Sequence, residues 1–394
     1  MSPLASPALP GSCIKYLECS QTGERADAGT LQNLSPSGVP LLARYAEQQA
    51  AGTLRRNATV DRPASLWRYA EMLPPPGDAG PVTLDEGMTP LLAAPRLGAR
   101  LGVRGLLVKD EGRNPLGSFK DRGMTVAVSM ARALGARTLV IPTAGNAGGS
   151  AAAYAARAGL EVHVFMPADA EAANVAECRR AGAAPTLVDG YLNDCAKVAA
   201  ERAREAGWFE LSTFKEPYRV EGKKTLAYEV VEQLGGDIPD VILYPTGGGT
   251  GLVGMWKAFD ELERLGWIGD ERPRMICVQA EGCAPLVRAY IANADTATVW
   301  KNPTTKVHGL RAPRVLADRL CLAAIRESHG TAVAVADADM RAMQDLAGAT
   351  EGLSVCPEGG ACLAAIPELL ARGDLGADER VAVFNTATAL KHMP

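Results

Sequence analysis

The sequence predicts an α/β protein of two lobes, with parallel-rich sheets flanked by helices and a small N-terminal lobe ahead of them. Three observations carry that prediction. From Leu106 onward, short β-branched runs alternate with alanine-rich runs at helical spacing, the pattern of parallel strands covered by helices on both faces. Two glycine-rich turns, 143–149 and 245–251, each follow a strand-like run and precede a helical one. At 394 residues the chain also exceeds one average domain, so two units, or one with an inserted lobe, are expected.

Residues 1 to about 12 are rich in Ser, Pro and Ala and are expected to be disordered. From Lys15 to Tyr45 the chain is broken by Pro36, Pro40 and several glycines, and Pro74-Pro75-Pro76-Gly77 reads as a linker. The N-terminal lobe and linker are therefore placed at 1–80. Glu86-Gly87-Met88-Thr89-Pro90-Leu91 then turns the chain into its main body. Strands are expected at 105–109, 137–142, 162–167, 184–188, 208–211, 241–244, 275–279, 332–336 and 380–384, where β-branched residues cluster between turn formers. Helices are expected at 118–134, 147–158, 171–181, 192–206, 222–233, 251–265, 339–346 and 359–371. The first of these follows the turn formers Asn114, Pro115 and Gly117, and Ser118 stands where an N-cap belongs. Residues 81–120 and 216–394 read as a large domain and 121–215 as a small mobile one. A cleft between two such lobes is the usual place for a ligand.

Composition narrows the function. The chain is 47% hydrophobic, with 41 basic residues against 45 acidic ones and a net charge of −4. That balance gives no basic excess for nucleic acid or an anionic membrane. No uninterrupted apolar run approaches a bilayer span and the N-terminus lacks signal-peptide blocks, so a cytoplasmic protein is expected. The nine cysteines are scattered without a Cys-x-x-Cys pair and read as reduced, mostly buried thiols. Cys13 and Cys19 lack the paired spacing of a tetrahedral zinc site, and the four histidines form no ligand pattern.

Chemistry concentrates in four stretches. In Asn114-Pro115-Leu116-Gly117-Ser118-Phe119-Lys120-Asp121-Arg122-Gly123, Lys120 falls in a helix's first turn, where the positive end of the dipole opposes a cation and favours a free amine. A solvated surface lysine fits this turn equally well. Thr143-Ala144-Gly145-Asn146-Ala147-Gly148-Gly149-Ser150 crowds backbone amides at a helix N-terminus, which suits a carboxylate. Pro245-Thr246-Gly247-Gly248-Gly249-Thr250-Gly251 spends much backbone entropy on glycine, which suits a phosphate. No Gly-Lys-Ser/Thr follows, so it is not a Walker A loop; yet Gly249 to Gly254 matches Gly-x-Gly-x-x-Gly, with Glu281 as a candidate ribose-binding acid. Lys215, Arg219, Lys223 and Lys224 form a basic cluster beside the hydroxyls of Ser212 and Thr213, enough for a second phosphate.

These stretches, taken together and in this order, resemble the threonine synthases, within the fold type II pyridoxal 5′-phosphate (PLP) enzymes of the tryptophan synthase β superfamily. The 114–123 stretch is similar to the family's Asn-Pro-Thr-Gly-Ser-Phe-Lys-Asp-Arg-Gly, with Leu116 in place of threonine. The resemblance implies that Lys120 carries PLP covalently and does the acid–base work. It implies that Asn146 contacts the cofactor's 3′-oxygen, and that Gly247, Gly248, Gly249, Thr250 and Gly251 anchor its phosphate. Thr386, in Phe384-Asn385-Thr386-Ala387-Thr388-Ala389-Leu390-Lys391, aligns with the residue facing the pyridine nitrogen. A hydroxyl there would leave that nitrogen unprotonated, favouring elimination and replacement over transamination. Thr143, Ala144, Gly145, Ala147 and Ser150 would hold the substrate carboxylate, and Lys215, Arg219 and Lys223 a substrate phosphate. Glu351-Gly352-Leu353 and Pro357-Glu358-Gly359-Gly360-Ala361 match family segments assigned to packing.

The implied activity is γ-elimination of phosphate from O-phospho-L-homoserine and β-addition of water to give L-threonine. β-Replacement on O-phosphoserine, as in cysteate synthase, and serine or threonine dehydration need the same lysine, asparagine and glycine loop. They stay open, as do a dinucleotide-binding protein and an inactive PLP-binding relative. The expected partner is an amino acid, phosphorylated on this reading; neither nucleic acid, membrane nor metal is expected, and a homodimer is admitted.

Overall fold

The computed structural model describes residues 9–392. The disorder expected for residues 1 to 12 falls outside them up to residue 8. Leu9 packs against the core and Ser12 Oγ donates to Leu73 O at 2.5 Å, so the end of that stretch is anchored.

The chain opens as an antiparallel sheet, β2-β1-β3, made of β1 (Ile14–Cys19), β2 (Arg25–Ala26) and β3 (Leu41–Tyr45). The sequence reading saw only irregular chain here, because Pro36, Pro40 and the glycines occupy its turns. A short helix, α1 (Glu47–Thr53), follows. Next come β4 (Leu91–Ala93), α2 (Pro95–Leu101), with proline at its first turn, and β5 (Gly105–Asp110).

The middle of the chain alternates α3 (Lys120–Ala133), β6 (Thr138–Pro142), α4 (Ala147–Ala158), β7 (Glu161–Pro167), α5 (Ala172–Arg180), β8 (Thr186–Val188), α6 (Leu192–Ala206) and β9 (Phe209–Glu210). Its four strands pair in parallel in the order β8-β7-β6-β9. The remainder alternates α7 (Arg219–Gln233), β10 (Val241–Pro245), α8 (Thr250–Arg264), β11 (Arg274–Ala280), α9 (Pro285–Ile291), α10 (Asp318–Glu327), β12 (Ala332–Val335), α11 (Asp337–Glu351), α12 (Pro357–Arg372) and β13 (Arg380–Asn385). These strands join β5 and β4 in a six-stranded sheet, order β12-β11-β10-β13-β5-β4, parallel except for β4 at its edge.

All nine expected strands and all eight expected helices exist. Their ends differ by up to three residues, apart from α11, which runs five residues further than expected at its C-terminal end. Val241 to Pro245 are buried throughout, which is why this strand reads as a continuous apolar run rather than an alternation. α1, α2, α9 and α10 were not expected.

The N-terminal sheet is part of the main body. Leu17, Leu41 and Tyr45 share one apolar core with Val126, Leu226 and Leu252 of α3, α7 and α8. Tyr45 Oη donates to Glu221 at 2.8 Å and Trp267 Nε1 to Leu54 O at 2.9 Å. A second core fills the space between the six-stranded sheet and α2, α11 and α12.

Candidate active site

The ends of β6, β10 and β13 converge on a cavity of about 210 Å³. Parallel sheets bind ligands beyond the carboxyl ends of their strands, and both helices entered from glycine turns, α4 and α8, begin at this cavity.

α3 begins at Lys120 with Phe119 as its N-cap, one residue later than the sequence suggested. The reason is tertiary: Ser118 bridges to Ala387, and Phe119 N donates to Thr386 O at 2.9 Å, so this backbone belongs to a β contact rather than to the helix. Ser118 Oγ still accepts from Lys120 N, at 3.4 Å. The Lys120 ammonium position lies 4.4 Å from the Phe119 ring centroid and, among the described residues, has no carboxylate within ion-pair distance. Its pKa falls to about 7: burial is the largest cause and the charge of Arg219 the next, with Glu358 opposing. Desolvation therefore does what the helix dipole alone was expected to do.

Asn146 caps α4, and its side chain makes no hydrogen bond among the described residues although Oδ1 is buried. At α8 the N-cap is Gly249, left-handed at φ +82°, with no side chain capping the helix. A Cβ on Gly249 would lie 2.2 Å from Cys321 Sγ, and one on Gly247 would lie 2.3 Å from Gly309 O. The glycines are thus required by close protein packing as well as by conformation. Among the described residues, the amides of Gly247 through Leu252 donate to no protein acceptor, while Val253 N is the first to bond back, to Gly249 O. Those amides, aimed from a helix N-terminus, fit a phosphate. A reactive amine at neutral pH, a free amide side chain and an anion cradle on one cavity are the parts a carbonyl-bearing, phosphorylated ring would need, so the residues fit PLP.

Thr143, Ala144, Gly145 and Ala147 line the same cavity, as do Thr250, Gly251 and Thr386. Thr386 Oγ1 has the Cys356 thiol 3.7 Å away. Three predicted residues do not line it. Ser150 is fully buried and donates to Asp121 Oδ1 at 2.7 Å, Lys215 pairs with Glu210 at 2.9 Å, and Lys223 is buried behind Phe119, donating to its carbonyl. Lys224 turns into a separate cluster with Glu221 and Glu261. Of the basic cluster only Arg219 reaches the cavity. It is 2% exposed, Nη1 donates to Leu211 O at 2.6 Å, and Nε has no partner. No carboxylate lies within ion-pair distance of it among the described residues.

Sequence reasoning missed one wall: His308, Arg311 and Arg314 from the coil between α9 and α10, and Glu358 at the start of α12, a segment read as packing. The available signal was length, since a coil running from 292 to 317 exceeds the usual connection and such loops are commonly functional. The opposite rim is tied down by Lys391 with Glu177 at 2.9 Å, Arg311 with Asp169 at 3.2 Å and His392 with Glu171 at 3.4 Å. Glu281, the acid that a dinucleotide site would need, lies instead beside Trp300 in a separate open hollow.

Comparison with known proteins agrees with this geometry. Residues 82–387 match the family described as pyridoxal-phosphate dependent enzyme. The chain is 38% identical over 328 residues to a threonine synthase of Methanosarcina acetivorans, covering 83% of this chain and 80% of that protein. It is 34% identical over 374 residues to a threonine synthase of Methanocaldococcus jannaschii, covering 95% and 92%. In structure it is similar to maize serine racemase, with a TM-score of 0.67 at 19% identity over 76% of this chain and 88% of that one, a likeness of fold.

Proposed function

The chain belongs to the pyridoxal-phosphate dependent enzymes and, within them, to the threonine synthase family, and on that premise we propose that it converts O-phospho-L-homoserine and water to L-threonine and phosphate. One observation carries the substrate assignment: Arg219, a buried guanidinium on the cavity wall, has no carboxylate partner among the described residues. Burying a charge is costly, and the nearby carboxylate of Glu216 offsets that burial only in part, leaving the Arg219 pKa lowered, so an anionic ligand is the expected counter-charge.

In this reading Lys120 would hold PLP covalently and Asn146 would hold its ring hydroxyl. The amides of Gly247, Gly248, Gly249 and Gly251, with Thr250, would hold its phosphate, and Thr386 would be its partner at the ring nitrogen. Bound there, the cofactor supplies an electron sink that stabilises negative charge at substrate carbons. The amides of Ala144, Asn146 and Ala147 at the start of α4 orient the substrate α-carboxylate. Arg219 holds the substrate phosphate and withdraws negative charge as it departs. Lys120 Nζ, whose pKa of about 7 leaves a large share unprotonated near neutral pH, takes and returns protons at the substrate carbons. Residues 121–215 act as the closing unit. Their own four-stranded sheet and the rim pairs from Glu177, Asp169 and Glu171 support this, and closure would keep water out until phosphate has left.

Steady-state turnover of O-phosphohomoserine against O-phosphoserine and threonine tests the reading. Threonine formation from the first alone is expected. Turnover of unphosphorylated threonine at a comparable kcat/KM would overturn it in favour of a dehydratase.

A further inference from the structure

His308 sits within the coil between α9 and α10 and lies against the cofactor cradle. The carbonyl of its neighbour Gly309 packs on Gly247, where an added Cβ would approach it to 2.3 Å, and Glu358 packs on Gly309 from the other side. His308 itself lines the cavity with Lys120 and Arg219. Its Nδ1 lies 2.9 Å from Arg311 Nη2, and the same nitrogen of Arg311 is anchored by Asp169 Oδ2 at 3.2 Å. A guanidinium only donates and stays protonated, so Nδ1 of His308 must accept. An imidazole that accepts at Nδ1 carries its single proton on Nε2.

We propose that the Asp169–Arg311 pair fixes His308 as the neutral Nε2–H tautomer, and that this N–H donates to a phosphate oxygen of the substrate, making His308 a specificity residue for phosphorylated amino acids. It rests on the reading of the cavity as a phosphorylated amino-acid site. The substrate phosphate then has a charged partner in Arg219 and a neutral donor in His308, and an unphosphorylated hydroxyl cannot occupy both. The charged groups around the ring are Arg311 on its own coil, Asp169 and Glu171 ahead of α5, and Glu358 on α12. His392 sits between Glu171, at 3.4 Å, and Glu358, at 3.8 Å. Burial and Arg311 together outweigh the three carboxylates, and the net displacement of His308 is downward, which keeps the ring neutral.

Nitrogen-15 NMR of the histidine-labelled holoenzyme tests the tautomer without reference to activity. His308→Gln identifies the resonances, since the chain has four histidines. A neutral ring protonated on Nε2, persisting below the ordinary imidazole midpoint of about 6.5, is expected. Arg311→Met should then let the ring take up a second proton at higher pH. An Nδ1–H tautomer or an imidazolium in the native holoenzyme would overturn the proposal, and so would an unchanged titration in Arg311→Met.

Kinetics test the contact. His308→Phe should raise KM for O-phosphohomoserine about tenfold or more, the value of a hydrogen bond to a charged group, while His308→Gln, which keeps a neutral N–H, should recover most of it. PLP affinity measured by dialysis should be unchanged in both. A loss falling on PLP affinity instead would place the contact on the cofactor's phosphate and overturn the assignment. If O-phosphohomoserine is not turned over by the native enzyme, the proposed function fails, whereas the NMR result still decides the tautomer.

Discussion

Two cations two residues apart on α3 meet opposite fates. Arg122 is completely buried and completely paired: Nε lies 2.6 Å from Glu111, Nη1 2.5 Å from Glu229, and Lys109 joins Glu229 at 2.8 Å. Lys120 lies in the cavity with an aromatic face for company and no carboxylate partner among the described residues. The same local sequence supplies both. Lys120 and Arg122 point to opposite sides of the helix, Arg122 into a network that ties α3 to β5 and α7, and Lys120 toward the ligand. Arg122, paired with protein carboxylates, holds the scaffold, and Lys120, which has none among the described residues, faces the cavity.

The sharpest break of that comparison removes each partner in turn. Lys120→Ala should lower turnover by about 10²–10⁴-fold or more while the denaturation midpoint barely moves, because the lysine's work is chemical. Arg122→Met should do the reverse, costing about 3–5 kcal/mol in urea unfolding because it leaves Glu111 and Glu229 buried without a counter-charge. Equal loss of stability in the two variants would mean that their environments do not differ as described.

A smaller effect is expected at Arg219. Arg219→Gln should lower kcat/KM for O-phosphohomoserine by about 10–100-fold, the value of charge-assisted hydrogen bonds, and should raise the Lys120 pKa by removing a neighbouring like charge. The pH dependence of acylation of Lys120 in cofactor-free protein reads this directly, with a midpoint of about 7 in the native chain and a higher one in the variant.

The least effect concerns acid. Burial by itself would raise Glu229, but Arg122 and Lys109 outweigh it and hold its carboxyl down to about 2. Its folded pKa is below the unfolded value of about 4.3, so its contribution is present above about pH 4.3 and is lost as pH falls through about 2. Urea midpoints measured from pH 5 downward should fall, and less so in Arg122→Met, where the depression is largely gone.

How far the sequence showed this differs between the two sides of the cavity. The turns after β6 and β10 were legible because glycine and small residues leave a local signal wherever a backbone must approach something closely. Lys120 was legible as a first-turn lysine, although the reason for its low pKa, burial beside Arg219, depends on a helix nearly a hundred residues away. The basic cluster at 215–224 misled for a geometric reason. Residues four apart share a helix face and adjacent ones do not, so Arg219 and Lys223 lie toward α3 while Lys224 turns to Glu221 and Glu261. Lys215 precedes the helix and pairs with Glu210. The His308 to Arg314 wall left only the length of its coil as a signal, because a coil has no period to read; tertiary packing on Gly247 and Glu358 brings it to the site.

Borohydride reduction of the PLP-loaded protein followed by peptide mapping tests the central claim most directly, that the unpaired amine of α3 is the one the cofactor takes. A reduced label on Lys120 alone is expected. A label on Lys223 or any other lysine, or no label on a protein that stays colourless after incubation with PLP, would contradict it.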